Sequence, residues 1–407
     1  MLACRERCVP IASQADERDA ADLPVLDRGP EPNTDPSPGV LDENDEILFM
    51  LSDAGRRILP EEIPAAIDCL VEVRLSLGNA EGWVYAVVSD PAGAVSPPPY
   101  VEYDPDRDAV TGARSVVGFR GATPRSFALR TRGGQPPNLL DRLKVRAHAR
   151  FLGLIPLSRD EDDLKTEFVA WKSGPIRVIR RQRQWVRLGW GLRTPIFRND
   201  SFSYRDFSEL PVSLVLNFPP TYFFGGIEIQ GVLDFRGLNG WRLRSDGSIA
   251  PLPIGSITKR QSASLERSSG DWFALIGDEA TLVQTLTVSP SLATVERRLV
   301  YREGTAAQPP EDDPGEHPGV GYRLTGWGAV DRGAHWFAST SYVLPAGYDV
   351  ESFLAERIAN LEMEARPLEI HPAGAALSQS EPCSGDSTMR ASTFQMRAIH
   401  SRISVSG

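Results

Sequence analysis

Cysteine is scarce in this chain: only Cys4, Cys8, Cys69 and Cys383 occur in 407 residues, with no Cys-x-x-Cys pair. That is too few for a disulfide scaffold and the wrong spacing for a zinc ribbon. Cys69, in an apolar stretch, reads as a small buried hydrophobe. Histidine is equally sparse. His148, His317, His335, His371 and His400 show no His-x-x-x-His or related spacing, so no metal site is expected. No motif calls for a cofactor: the phosphate loop, the dinucleotide glycine fingerprint and the G-x-S-x-G nucleophile elbow are all missing.

No apolar run approaches the roughly 18 residues of a membrane-spanning helix. The opening Met-Leu-Ala-Cys-Arg-Glu-Arg-Cys lacks the apolar region of a signal peptide. If Met1 lies downstream of the true start, Leu2, Ala3 and Cys4 would be the remnant of an export or lipoprotein signal, and the chain would be periplasmic or extracellular. Positive charge is also in deficit. With 44 Lys and Arg against 54 Asp and Glu, the net charge is -10, which disfavours nucleic acid as a partner and leaves only local basic clusters to bind anions.

What is present is the composition of a folded protein, 41% hydrophobic and 24% charged. Residues 1–44, rich in Pro, Asp and Gly from Ala15 onward, read as a flexible leader or linker over the surface. Asn33, Asp35 and Ser37 alternate as in a calcium loop, but the glycine and closing glutamate are out of register. Residues 371–407, Ser-rich from Gly374, read as a mobile tail. The interval 45–370 alternates apolar and polar residues in run after run, bounded by Gly, Pro or Asp. Examples are Val71 to Leu77, Lys144 to Phe151, Ile176 to Leu188, Ile227 to Phe235 and Trp336 to Val343. Near 156–163 the run Ser158-Arg-Asp-Glu-Asp-Asp163 breaks the pattern, as a loop or an internal division.

One helix is expected, capped by Asp349, with Phe353, Leu354, Ile358 and Leu361 at helical spacing and Pro367 as its stop. Many strands and few helices predict an all-β protein, a large antiparallel β-supersandwich with disordered termini.

Two segments stand out. Alternation in Lys144-Val-Arg-Ala-His-Ala-Arg150 gives one basic and one apolar face. In Arg177-Val-Ile-Arg-Arg-Gln-Arg-Gln-Trp-Val-Arg187 it sets Arg177, Arg181, Arg183, Trp185 and Arg187 on one face, opposite Val178, Val186 and Leu188. Guanidinium forks bind carboxylate or sulfate, and an indole packs on a sugar ring. The face is therefore a candidate for an acidic saccharide, or else a solvated face of ion pairs. Phe197 to Phe207 reads as a rim loop in which Tyr204, Arg205 and Asp206 would supply a phenol, an anion clamp and a base. His335 is the leading acid-base histidine, His148 the second. Asp234 with Glu228 is a conceivable glycosidase pair, and Asp104-Pro-Asp-Arg-Asp108 reads as a hairpin turn.

The stretch Trp171-Lys-Ser-Gly-Pro-Ile-Arg-Val-Ile-Arg180, followed by Val232-Leu-Asp-Phe-Arg-Gly-Leu-Asn-Gly-Trp241, resembles the Gly-Pro-[Val/Ile]-Arg strand opening of galactose-mutarotase-like β-supersandwich proteins. That superfamily includes epimerases, polysaccharide-lyase domains and exported bacterial proteins. The resemblance spans about residues 45 to 370 in strand order and is specific over Gly174-Pro-Ile-Arg177. The epimerase His and Glu pair has no counterpart here, so the resemblance implies lyase-like chemistry or plain binding, with Tyr204 or His335 as base and the arginines neutralising a uronate. Two expectations result: a protein that binds or processes an anionic saccharide, or a non-enzymatic envelope or structural protein on the same scaffold. Oligomeric state is left open.

Overall fold

The computed structural model describes residues 1–63, 69–88, 97–121, 123–130, 138–189, 191–248, 250–302, 318–358, 361–368 and 395–399. His317, His371, His400, Cys383 and most of the expected tail lie outside these residues.

The chain is all-β, and its described residues form five sheets. The largest runs, edge to edge, through Leu164–Ser173, Val178–Gly189, Phe197–Ser203, Phe207–Leu216, Gly333–Pro345, Ala280–Val288, Trp272–Ile276, Arg242–Ser245 and Leu252–Pro253, with Leu192–Arg193 paired to the second of these. A five-stranded sheet, Ile155–Arg159, Leu140–Phe151, Phe224–Phe235, Gly319–Thr325 and Glu296–Arg302, stacks on one half of it. Period-two alternation explains why. Ile227, Ile229, Leu233 and Phe235 point into a core shared with Leu243, Phe273, Leu275, Leu299 and Val320, while Glu228, Gln230 and the buried Asp234 lie on the other face. The Tyr322 phenol crosses between the sheets and donates to the Gln284 carbonyl at 2.8 Å, which removes the penalty of a buried hydroxyl.

The other half of the large sheet is covered by a four-stranded sheet, Thr123–Leu129, Ser115–Arg120, Ala109–Thr111 and Glu102–Asp104, whose Val110, together with Val101 just ahead of the last strand, meets Val178. A second five-stranded sheet orders Cys8–Pro10, Leu2–Cys4, Ala80–Val88, Cys69–Leu77 and Leu361–Leu368. The last sheet pairs Ser13–Asp16 with Glu46–Met50, and Gln395–Ile399 joins the latter in parallel.

The first 44 residues therefore differ from the expected surface leader. They supply strands to two sheets, and Cys4 is bonded to Cys8 across a tight hairpin. Residues 17–45 form little regular structure, as their composition implies, but Asx bonds replace the ladder. Arg18 donates its backbone N–H to Asp45 (2.8 Å), and Asn33 links the Leu26 backbone (2.9 Å) to Asp19 (2.8 Å). Leu26 is wholly buried against Val169, Ala170 and Ile179, so this segment lies over the arginine-rich strand.

The expected helix is present as Val350–Ile358. Asp349 accepts from the Ser352 hydroxyl at 2.5 Å and the Glu351 N–H at 3.2 Å. Leu361 and Pro367, assigned to the helix and its stop, instead lie in the strand Leu361–Leu368, which is outermost in its sheet among the described residues, a position where proline is tolerated.

Candidate functional site

Strand alternation places the arginines as expected, but their surroundings differ. Arg177 is 1% exposed. Its Nε meets Asp16 Oδ2 at 2.6 Å and its Nη2 meets Glu46 Oε2 at 2.7 Å, while Gln14 Oε1 accepts the N–H groups of Ile176 and Arg177. Lys172 Nζ adds a contact to Asp16 at 3.0 Å. Burial alone would push the Asp16 carboxyl up, but Arg177, Lys172 and the Gln14 amide outweigh it and hold the group below its ordinary value. Gly174 has no room for a side chain, since a Cβ there would lie 2.2 Å from the Gln14 amide. The Gly174-Pro-Ile-Arg177 stretch is thus a latch between the large sheet and the N-terminal segment.

Arg181, also buried, is gripped at two points by Asp200 (2.7 Å each) and by the Pro24 carbonyl (3.0 Å). Arg183 pairs with Glu31 and lies 3.8 Å from Glu167. Arg187 is exposed, 3.6 Å from Asp163, and donates to the Asp162 carbonyl at 3.0 Å. Trp185 is half-buried with the Arg193 guanidinium 5.6 Å from its ring centre. Arg180, on the opposite face, stands 3.9 Å from the Phe119 ring centre and bonds Asp108 at 2.5 Å. The Asp104 to Asp108 segment is the hairpin turn the sequence implied, with Asp104 accepting the Asp106 and Arg107 N–H groups at 3.0 and 3.1 Å.

The two acid-base candidates do not meet. His335 is buried, with Nδ1 2.9 Å from Ser291 Oγ and Nε2 3.0 Å from the Asp331 carbonyl. Tyr204 is buried too, its ring stacked on Phe207 at 4.3 Å. Phe207 lies opposite Tyr342, while His335 is seven residues back along that same strand, a separation of about 23 Å at 3.3 Å per residue. Glu228 and Asp234, six residues apart on one strand, are separated by about 20 Å on the same reckoning, too far for a glycosidase pair. Asp234 is held by Lys144 at 2.6 Å and Glu228 lies 3.5 Å from Arg323. His148 is exposed, with Nδ1 3.0 Å from Ser158 Oγ. The expected rim loop is largely the strand Phe197–Ser203, and Asp206 is taken up by Arg205 (2.6 Å) and Arg114 (3.8 Å).

Polar groups do converge elsewhere. A cleft of about 460 Å³ opens between the turn Leu51–Asp53, the hairpin of Cys69–Leu77 with Ala80–Val88, and Arg205. Leu51, Leu75, Leu77 and Leu361 form apolar walls, and Arg5, Asp53, Glu81 and Arg205 bring charge. Behind Asp53, the Tyr100 hydroxyl donates to the carboxylate, 2.7 and 2.8 Å from its oxygens. Arg205 lies 5.3 Å from the Tyr100 ring centre and reaches Ser52 Oγ at 3.4 Å, while Arg5 donates to the Ser52 carbonyl at 2.7 Å.

Burial raises the Asp53 carboxyl above its ordinary value, against the Tyr100 bond and the two arginines. The Tyr100 phenol is also raised, by burial first and then by Asp53. Of these groups only Arg205 carried a sequence signal. Arg5, Asp53 and Tyr100 are brought to it by sheet pairing across long stretches of chain.

No family model matches this chain, and no curated protein matches it in sequence. Among solved structures, the crystal structure of heparan sulfate lyase HepC from Pedobacter heparinus is similar over 65% of this chain and 40% of its own, with 8% identity and a TM-score of 0.32. The matched region is thus less than half the length of that enzyme.

Proposed function

We propose that this chain binds an acidic saccharide in the cleft formed by Arg5, Asp53 and Arg205. The observation that carries this reading is the convergence of the Arg5 and Arg205 guanidinium groups and the buried Asp53 carboxyl in one open cavity; Arg205 faces it while also bonded to Asp206, whereas Arg177, Arg181 and Arg183 do not line it. Guanidinium groups complement a uronate carboxylate or a sulfate, Asp53 accepts from sugar hydroxyls, and the leucine walls suit the apolar face of a pyranose. The volume lies in the range of small-ligand pockets. The galactose-mutarotase-like kinship and an exported location belong to the same proposal; the Cys4–Cys8 disulfide supports an oxidising compartment.

Titration calorimetry with uronic-acid oligosaccharides tests it. Each charge-assisted bond contributes about 1.5–3 kcal/mol when water is excluded, so Arg205→Gln and Arg5→Gln are each expected to weaken binding by roughly one to two orders of magnitude. Arg5 is exposed, so its variant separates lost binding from lost fold. No heat with any acidic glycan would sink the proposal. A second reading, a non-enzymatic envelope or structural scaffold, is favoured by the separation of His335 from Tyr204 and by the internal pairing of the arginine strand. It is the reading left standing if the parent binds no saccharide.

A further inference from the structure

Two connections at one end of the stacked sheets hold large apolar side chains in water. The turn between Leu140–Phe151 and Ile155–Arg159 exposes Leu152, Leu154 and Ile155 by 59%, 84% and 49%. Beside it, the connection from Phe207–Leu216 to Phe224–Phe235 exposes Phe218, Tyr222 and Phe223 by 44%, 69% and 40%. These form one surface. The Leu152 N–H donates to the Phe223 carbonyl at 2.7 Å, the Phe218 and Phe223 rings meet edge-on at 4.9 Å, and Phe151 lies 5.7 Å from Phe224. Leu152 also has φ of 50°, in the left-handed region where asparagine or glycine fits more easily than a branched apolar residue. Leucine there is unfavourable both for local backbone geometry and for hydration, and side chains that break local rules in this way mark contacts made outside the chain.

Charge indicates what those contacts are. Residues 150–159 include Arg150 and Arg159 and no carboxylate, and residues 214–226 include no charged residue. At the chain average of 54 carboxylates in 407 residues, stretches of that combined length would hold about three. These two turns themselves carry no carboxylate, Arg150 is exposed beside the leucines, and the neighbouring Asp331 is followed directly by Arg332. The surface is made of turn tips, not a groove, and the cleft described above draws on other residues.

We propose that this end of the molecule inserts into the surface of an anionic lipid bilayer. The leucines and phenylalanines enter the acyl boundary, Tyr222 sits at headgroup depth and Arg150 faces lipid phosphate.

Flotation of the full chain with vesicles of equal parts phosphatidylglycerol and phosphatidylcholine tests this. The parent is expected to float with them, and binding to weaken about tenfold with Leu154→Asp or with phosphatidylcholine alone. The melting temperature of Leu154→Asp should match the parent, because that side chain is already in water, so lost flotation would not reflect unfolding. A parent chain that stays at the bottom of the gradient overturns the proposal, as does equal flotation of Leu154→Asp. So does a concentration-dependent dimer that Leu154→Asp dissociates, since the surface would then belong to a second copy of the chain.

Discussion

Arg177 shows how far a single residue can be read from its neighbours in sequence. The density of arginine around it was plain, and so was the face each would take, because strand alternation needs only local information. What those arginines meet was not legible. Asp16 lies 161 residues and Glu46 131 residues from Arg177, and nothing in a strand pattern says which distant carboxylate will cover it. Removing one partner of such a buried group leaves the others charged and dry, so Arg177→Ala is expected to cost about 3–5 kcal/mol in a urea melt. The acid limb should change as well. Asp16 is held below its ordinary value of 3.8 in the folded chain, so its contribution is fully present above that pH and is lost as pH falls through the folded value. Arg177→Ala should flatten that part of the stability profile. A variant as stable as the parent, with an unchanged acid limb, would show that the latch contributes nothing.

At the scale of elements, the helix Val350–Ile358 was legible because two signals agreed: an Asp cap and the helical spacing of Phe353, Leu354 and Ile358. Phe353 is 3% exposed, its ring 5.1 Å from that of Tyr342, and it packs with Ala274, Val283 and Leu344. Phe353→Asp should therefore cost several kcal/mol, on the order of 3–5, by emptying the site and burying a charge; a urea midpoint within error of the parent would mean the helix is not docked. Phe197–Ser203 was hidden for the opposite reason. Its polar residues imitate a loop, yet Asn199, Ser201 and Ser203 are buried, with Asn199 bonded to Gln184 at 3.0 Å and Ser201 to the Arg180 carbonyl at 3.3 Å. Tertiary bonds here override a composition that argues against a strand. The cleft was unreadable on the same grounds, because its charged groups share no element.

For the whole molecule, sequence pattern conveyed the class, stacked antiparallel sheets, since repeated alternation in long runs admits few other architectures. It did not convey how the ends are used, because short strands carry too few residues to show a period. Ser13–Asp16 has four residues and Gln395–Ile399 five. Ile399 is buried with Leu48 and Met50, so deleting everything after Gly374 is expected to lower the melting temperature by several degrees, the equivalent of roughly 1.5–3 kcal/mol for one buried aliphatic side chain. Unchanged melting would restore the reading of that segment as a tail.

That pairing of chain ends also sets a clock on biosynthesis. Glu46–Met50 precedes its parallel neighbour, Gln395–Ile399, by about 350 residues of chain, so the partner is translated much later. At ~5–20 residues per second, a strand with one side unpaired waits on the order of 15 to 70 seconds for its partner to leave the ribosome. Over that interval the nascent chain presents an open strand edge to other nascent chains and to chaperones.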